Sequence, residues 1–461
     1  MSIFNGQRLS KEVFQIDVGR MRKGWYTDAY FRNIVRMLEV LDKEGYTFQG
    51  RSDIKDIDTA SVETGNIVVE IQFFTRRKPF SLVAGVDEAL AILQECTGYF
   101  DDNGVFINTY DQLEIEAVED GTIVTYGDDP QQVQPVLKVR GRYQDFGILE
   151  TPILGVLSEA TQVATNVYNV LAAAKGKDIL FFPARFAHYK MQPFHGYAYS
   201  LAVQAFNRYE GKQSRVLVST DGQAEWWGGV GGGTVAHASI ACFLGDTSET
   251  MLQFSRVMPA EIPRIALVDF HNDCVGDTLK VMRSMFKRYW ELWQAGKYEE
   301  AQKYKLFGVR PDTSGNMRDV SVPPLGEMKL DCGVNPRLVW ALRESINVAY
   351  KAWEVPIEAV KIARQWCEEV KIVVTGGFDV ERINKFEALG VPADIYGVGS
   401  SLLANCHECD GNNDYTADIV RVKIGDSWYP MAKVGRSPGK NPNLKIIKKG
   451  RNDVSYDNHS I

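Results

Sequence analysis

The feature that most constrains this chain is a rhythm that sets in near residue 149. Short apolar runs recur, each ending in polar or glycine residues and each followed by a helical pattern. The runs are RVLVST (215–220), RIALVDF (264–270), YKLFGVR (304–310), VKIVVTGG (370–377) and ADIYGVG (393–399). A long helical stretch, ILGVLSEATQVATNVYNVLAAAKG (153–176), comes first. Amphipathic patterns at 276–296, 335–345 and 379–390 lie between the later runs. Neighbouring parallel strands need a crossover connection, and a helix is the usual one, so strand and helix in alternation predict a parallel α/β domain, open or closed as a barrel. In such folds ligands bind at the carboxyl ends of the strands. Here those ends read STDG, VDFHND, GVRPDTSG, VTGGFD and GVGSS, a set of Asp, Arg, Thr, Ser and Gly suited to an anion-binding enzyme site.

The first part of the chain has a different pattern. The stretch DAYFRNIVRMLEVLDKEG (28–45) puts Phe31, Ile34, Val35, Leu38 and Leu41 on one helical face. Strand-like runs follow at 66–76, 112–120, 121–127 and 135–143, with a helix at 86–96 among them. Residues 1–148 are therefore expected to form a mixed, largely antiparallel α+β domain, and 149–400 the α/β domain. The segment 401–461 returns to strand-like pieces, YTADIVRVKIG and NLKIIKKG, and is expected to pack back on the N-terminal domain.

Charge and composition exclude some partners. The formal net charge is -7, which gives no electrostatic reason to expect nucleic acid. No stretch approaches the roughly 18 uninterrupted apolar residues of a membrane span, and the N-terminal MSIFNGQRLSKEVFQ lacks a signal-peptide core. The 7 cysteines, odd in number and widely scattered, suit reduced thiols and a cytoplasmic protein.

Several residues carry chemistry by type and position. TGGFDVERI ends a strand, supplies Gly376 and Gly377, and opens a helix whose free N–H groups attract anions; Gly399 and Ser400 form a second such turn. Asp269 and Asp273 end the apolar run RIALV. They suit ribose hydroxyls or Mg²⁺, or else a helix N-cap with a neighbouring acid. Arg185 and Arg310 present forks for carboxylate or phosphate, with Asp312 two residues past Arg310 to orient it. Cys406, His407, Glu408 and Cys409 offer three soft ligands but no second pair, too few for a structural zinc site. The glycine-rich EWWGGVGGGTVAHAS (225–239) is neither a Walker loop, since no lysine follows, nor a dinucleotide fingerprint, since its glycines do not open a helix directly after a strand. It reads as a thin, mobile connection from the strand end at Asp221 to His237, with Trp226 and Trp227 anchoring or covering it.

Seven segments, in order, resemble those of the nicotinate phosphoribosyltransferases: YTDAYF (26–31), FFPARFAH (181–188), GTVAHAS (233–239), LVDFHND (267–273), GVRPDTSG (308–315), VTGGFDVERINKFEALGVPADIYGVGSSL (374–402) and YTADIV (415–420). The resemblance implies an irregular (β/α) barrel of the type II phosphoribosyltransferase kind beside the mixed α+β domain. It implies transfer of a pyridine base to the ribose of phosphoribosyl pyrophosphate (PRPP), with Mg²⁺ and with ATP as co-substrate. Gly376, Gly377, Gly399 and Ser400 would hold the 5-phosphate, Arg185 and Arg310 the nicotinate and PRPP, and Asp269 and Asp273 the ribose or Mg-pyrophosphate. Thr234 belongs to the Gly-Thr-x-x-His element, whose His237 would be phosphorylated by ATP. This chain has Ala238 where many members have serine. Tyr30 would cross a homodimer interface to stack on the base in the neighbouring site. Asp221 stands where the related nicotinamide phosphoribosyltransferases carry an aspartate that accepts a bond from the amide, so nicotinamide is a second candidate base. The pattern also leaves open quinolinate as the base, which needs more basic residues, and a non-catalytic nucleotide-binding role.

Overall fold

The structure is a computed structural model and describes residues 7–127, 129, 131–405 and 412–449. The Cys406–Cys409 cluster lies outside them. Tertiary contacts divide the chain into two units, residues 1–165 with 404–461, and residues 166–403. The first boundary falls at 165 rather than 148, inside the helix Glu150–Ala173. That helix gives Ile153 and Leu157 to the apolar core of the first unit, so its first half cannot be parted from that unit.

The first unit contains strands β1 (Val68–Thr75), β2 (Phe80–Leu82), β3 (Gly98–Phe100), β4 (Phe106–Asn108), β5 (Glu114–Ala117), β6 (Ile123–Thr125) and β7 (Leu137–Arg142). The second contains β8 (Ile179–Phe181), β9 (Val216–Val218), β10 (Ile265–Leu267), β11 (Gly308–Arg310), β12 (Lys371–Val374) and β13 (Ile395–Val398). The chain then returns to the first unit with β14 (Tyr415–Ile424), β15 (Ser427–Pro430) and β16 (Lys445–Lys448).

The main sheet of the first unit has the order β15-β14-β1-β7-β5-β16 and is antiparallel. The tail supplies both edges and one inner strand. Side-chain alternation along β1 gives the sheet two unlike faces. Ile71 and Phe73 enter the apolar core, beside Leu93 of the helix Val86–Cys96. Glu70 and Gln72 point the other way and are equally buried. Burial of Glu70 is tolerable because Arg140 Nε donates to it at 2.6 Å and Arg421 reaches it at 3.3 Å. Gln72 bonds the backbone of Ser437 and Gly439, which tethers the tail across this face.

The helix Ala29–Lys43 buries a narrower stripe than its sequence suggests. Val35 and Leu38 are buried, while Tyr30, Ile34 and Met37 stay exposed.

The second unit is a six-stranded sheet of order β10-β11-β12-β13-β8-β9 with every pair parallel. Each of the five apolar runs contains one of its strands. The strands are short and covered on both faces, which is why they read as continuous apolar runs and not as an alternation. Val309, Ile372, Val373, Val374 and Val398 are fully buried. The two edge strands, β9 and β10, are bridged by the glycine-rich connection. Gly232 N–H donates to Val218 O at 2.7 Å, and Thr234 Oγ1 donates to Ile265 O at 3.0 Å. Of the barrel expected from the sequence, the structure thus has six paired strands, with hydrogen bonds through residues 232–234 between the ends.

Among the described residues no helix is long and apolar enough to cross a membrane. Cys96, Cys242, Cys274, Cys332 and Cys367 are free thiols.

Candidate functional site

The carboxyl ends of the parallel strands converge on one cluster in the second unit. Asp269 follows β10 and is largely buried. His237, half exposed, opens the helix His237–Cys242 after the glycine-rich connection. The imidazole Nε2 lies 3.0 Å from Asp269 Oδ1 and 3.1 Å from Oδ2. Asp269 accepting from Nε2–H leaves the Nδ1 lone pair available, the tautomer a nucleophilic histidine requires. Burial pushes the Asp269 carboxyl above the usual carboxylate range; His237 opposes this and the nearby Asp312 reinforces it.

Arg310 ends β11. Its Nη2 donates to Val235 O at 3.2 Å, and Nη1 stands 3.7 Å from Asp312 Oδ2. Burial lowers its guanidinium from the ordinary value. Asp312 and Asp269 oppose that shift, and Arg185 adds to it. The site therefore gathers two cations, Arg310 and Arg185, and two carboxylates, Asp269 and Asp312. Arg185 sits exposed in the short 3-10 turn Pro183–Phe186 after β8 and makes no hydrogen bond or ion pair among the described residues. It is thus open to a ligand.

Beyond β12, Thr375 is buried and its hydroxyl donates to Asp312 Oδ1 at 2.6 Å. Gly376 and Gly377 follow with φ of +96° and +71°, a left-handed pair that a side chain would strain. Asp379 then caps the helix Val380–Ala388 by accepting from Arg382 N–H at 2.9 Å. The second turn lies alongside, since Ser401 Oγ donates to Phe378 O at 2.9 Å. Among the described residues the N–H groups of Gly376, Gly377, Gly399 and Ser400 have no protein acceptor, so they are available to an anion.

Four expected site residues are placed elsewhere or otherwise engaged, Thr234 among them through its bond to Ile265 O. Asp273 caps the helix Cys274–Gln294, accepting from Gly276 N–H at 2.9 Å, the N-cap role that its spacing allowed. Asp221 Oδ1 accepts from Gly231 N–H at 2.8 Å, which pins the base of the Trp-Gly loop. A side chain at Gly231 would collide with the backbone of Thr220, its Cβ falling 2.5 Å from that carbonyl carbon. The loop can close only because that position is glycine. Trp226 packs on Phe194 and Tyr197 at ring distances of 6.1 Å and 6.0 Å. Tyr30 lies in the other unit, 58% exposed, its hydroxyl donating to Asp28 at 3.1 Å. Sequence reasoning missed Thr375, Arg382 and Ser401 as site residues, although all three stand in the phosphate-like segment 374–402. Their type alone carries no signal, because a threonine before a Gly-Gly turn and an arginine in a first helical turn are ordinary.

Residues 56–161 match the family described as quinolinate phosphoribosyl transferase, N-terminal domain. The structure is similar to the crystal structure of nicotinate-nucleotide pyrophosphorylase from Pyrococcus furiosus, at 23% identity over 93% of this chain and 84% of that one, with a TM-score of 0.59. It is also similar to human nicotinic acid phosphoribosyltransferase, at 16% identity over 86% of this chain and 75% of that one, with a TM-score of 0.52. The mixed α/β fold is that of the type II phosphoribosyltransferases. The resemblance carried by the seven sequence segments agrees with this fold, while the family match falls on residues 56–161, between the first and second of those segments.

Proposed function

We propose that this chain is a phosphoribosyltransferase of NAD metabolism, and specifically a cytoplasmic nicotinate phosphoribosyltransferase that couples ATP hydrolysis to the reaction through His237. The observation that carries the proposal is the His237–Asp269 pair beside Arg310, at the strand ends where the Gly376–Gly377 turn also opens.

The pyridine nitrogen attacks the anomeric carbon of PRPP as the bond to pyrophosphate breaks, yielding nicotinate mononucleotide and pyrophosphate. Positive charge develops at the ribose, so positioning and charge matching carry the step. The two glycine turns receive the 5-phosphate. Arg310 faces the pyrophosphate, and Arg185, with the exposed ring of Phe186 beside it, receives the flat base and its carboxylate. In the coupled step His237 Nδ1 attacks the terminal phosphorus of ATP and the bond to ADP breaks. Asp269 stabilises the positive imidazole that forms, and water later cleaves the P–N bond.

Mg²⁺ would be held by Asp269 and Asp312. Two carboxylates are too few for a protein-built cage, and among the described residues no larger cluster exists, but they suit an ion that keeps water and pyrophosphate oxygens as its other ligands. It would neutralise charge on the leaving pyrophosphate.

The charge balance of the site supports a monoacid over quinolinate, whose two carboxylates would need further cations. Engagement of Asp221 by Gly231 speaks for nicotinate over nicotinamide. A homodimer is the minimum unit in this proposal. The exposed stripe of Tyr30, Ile34 and Met37 is a surface that a second copy would cover, placing Tyr30 of the partner subunit at the base.

Incubation with PRPP, Mg²⁺ and each of nicotinate, nicotinamide and quinolinate, with and without ATP, tests the assignment by the mononucleotide formed. Product from nicotinamide alone, or from quinolinate with release of carbon dioxide, overturns it. His237→Ala is expected to abolish ATP stimulation while leaving slow ATP-independent synthesis, and equal stimulation in that variant refutes the phosphohistidine.

A further inference from the structure

The Gly376–Gly377 turn poses a problem of its own. Two consecutive glycines lose more conformational freedom on folding than any other pair, and a turn made from them has no side chains to hold its shape. Yet an anion site needs its N–H groups already aimed.

We infer that Arg382 is the positioning residue that presets this turn for phosphate. From the first turn of the helix Val380–Ala388, its side chain folds back beneath the glycines. Nη1 donates to Gly376 O at 2.5 Å and to Gly377 O at 3.1 Å, while Nη2 donates to Val334 O at 2.6 Å. The guanidinium lies over the Phe378 ring, 4.2 Å from its centroid, and is half-buried.

In a planar trans peptide the carbonyl oxygen and the next residue's N–H point in opposite directions. Fixing the carbonyls of Gly376 and Gly377 on one rigid fork therefore turns the N–H groups of Gly377 and Phe378 the other way. Neither N–H has a protein acceptor among the described residues. The third carbonyl of the turn, at Phe378, is held by Ser401 of the neighbouring glycine turn, so both turns are tied into one frame. Arg382 also sets a positive charge behind the peptide planes, and the Asp379 cap holds its backbone in place. Only an arginine does all of this, because its planar fork reaches three carbonyls at once, whereas a lysine offers a single point charge.

This inference rests on the proposed binding of PRPP. The experiment measures PRPP binding by titration calorimetry, and KM and kcat for PRPP and for the base, in wild type, Arg382→Met and Arg382→Lys. Wild type binds PRPP if the functional proposal holds; absence of binding there sinks that proposal and this one with it. With wild type binding, Arg382→Met is expected to weaken PRPP binding about ten- to a hundredfold, the cost of losing one or two charge-assisted bonds. The PRPP KM should rise in parallel, with the base KM and kcat changed far less. Arg382→Lys, which keeps the positive charge but loses the fork, should fall between the two and answers the question even if Arg382→Met fails to fold. Unchanged PRPP affinity in either folded variant overturns the inference while leaving the function intact. A uniform loss of kcat with both KM values kept also overturns it.

Discussion

Asp269→Asn tests whether the Asp269 carboxylate directs the His237 imidazole. The side chain keeps its shape, but the carboxylate charge is gone and the amide can present its N–H₂ to the ring. In the structure both carboxylate oxygens lie within 3.1 Å of Nε2, so the imidazole loses a charged acceptor and with it the preference for the tautomer that exposes Nδ1. A hydrogen bond to a charged group contributes about 1.5–3 kcal/mol. His237 is 48% exposed, so water competes for its ring and the lower half of that range applies. A loss of about 2 kcal/mol corresponds to roughly 30-fold. The assay is the rate of nicotinate mononucleotide formation with and without ATP, together with acid-labile incorporation of the terminal phosphate of labelled ATP. Both the ATP stimulation and the labelling rate should fall by about that factor, with Arg310 and the glycine turns still in place. Wild-type labelling in the variant would refute the claim that Asp269 directs the histidine.

Thr375→Val keeps the shape of a buried side chain and removes the hydroxyl that donates to Asp312 at 2.6 Å. It should cost about 1–2 kcal/mol in urea unfolding and raise the PRPP KM, and unchanged values on both counts would dismiss its link between Asp312 and the phosphate turn. Glu150, at the start of the helix Glu150–Ala173, is pushed up to about 8 by burial, with Tyr143 opposing. A carboxyl whose folded pKa is raised holds its proton more tightly in the folded state. Its contribution is therefore most favourable below the ordinary carboxylate range and is lost as pH rises toward 8. Glu150→Gln should accordingly raise the melting temperature at pH 9 by a few degrees, on the order of 3 kcal/mol or less, and leave it unchanged near pH 4; equal melting at pH 9 would count against a buried charge.

The local pattern was enough to place the elements. Helices at 86–96 and 379–390, and all five apolar runs of the second unit, stand where periodicity and turn residues put them, because hydrophobic spacing and Gly, Asp and Asn punctuation act over a few residues. The strand-end rule, applied to that pattern, also singled out Asp269, Arg310, Asp312 and the glycine turns before any geometry. Beyond that point sequence neighbours say little. Asp269 and Asp273, four residues apart on one strand end, have separate fates, one on His237 and the other on a helix cap. The parallel order β10-β11-β12-β13-β8-β9 decides that Arg310 meets Val235 and that Thr375 meets Asp312, contacts between residues 75 and 63 apart in the chain. The glycine-rich connection, conspicuous in the sequence, proves to span the two edge strands, and the carbonyls of the Gly376–Gly377 turn are bonded by an arginine that looks like any helix-surface charge. Side-chain partners of this kind are chosen by which strand ends the crossovers bring side by side, and that choice exists only once the sheet has formed.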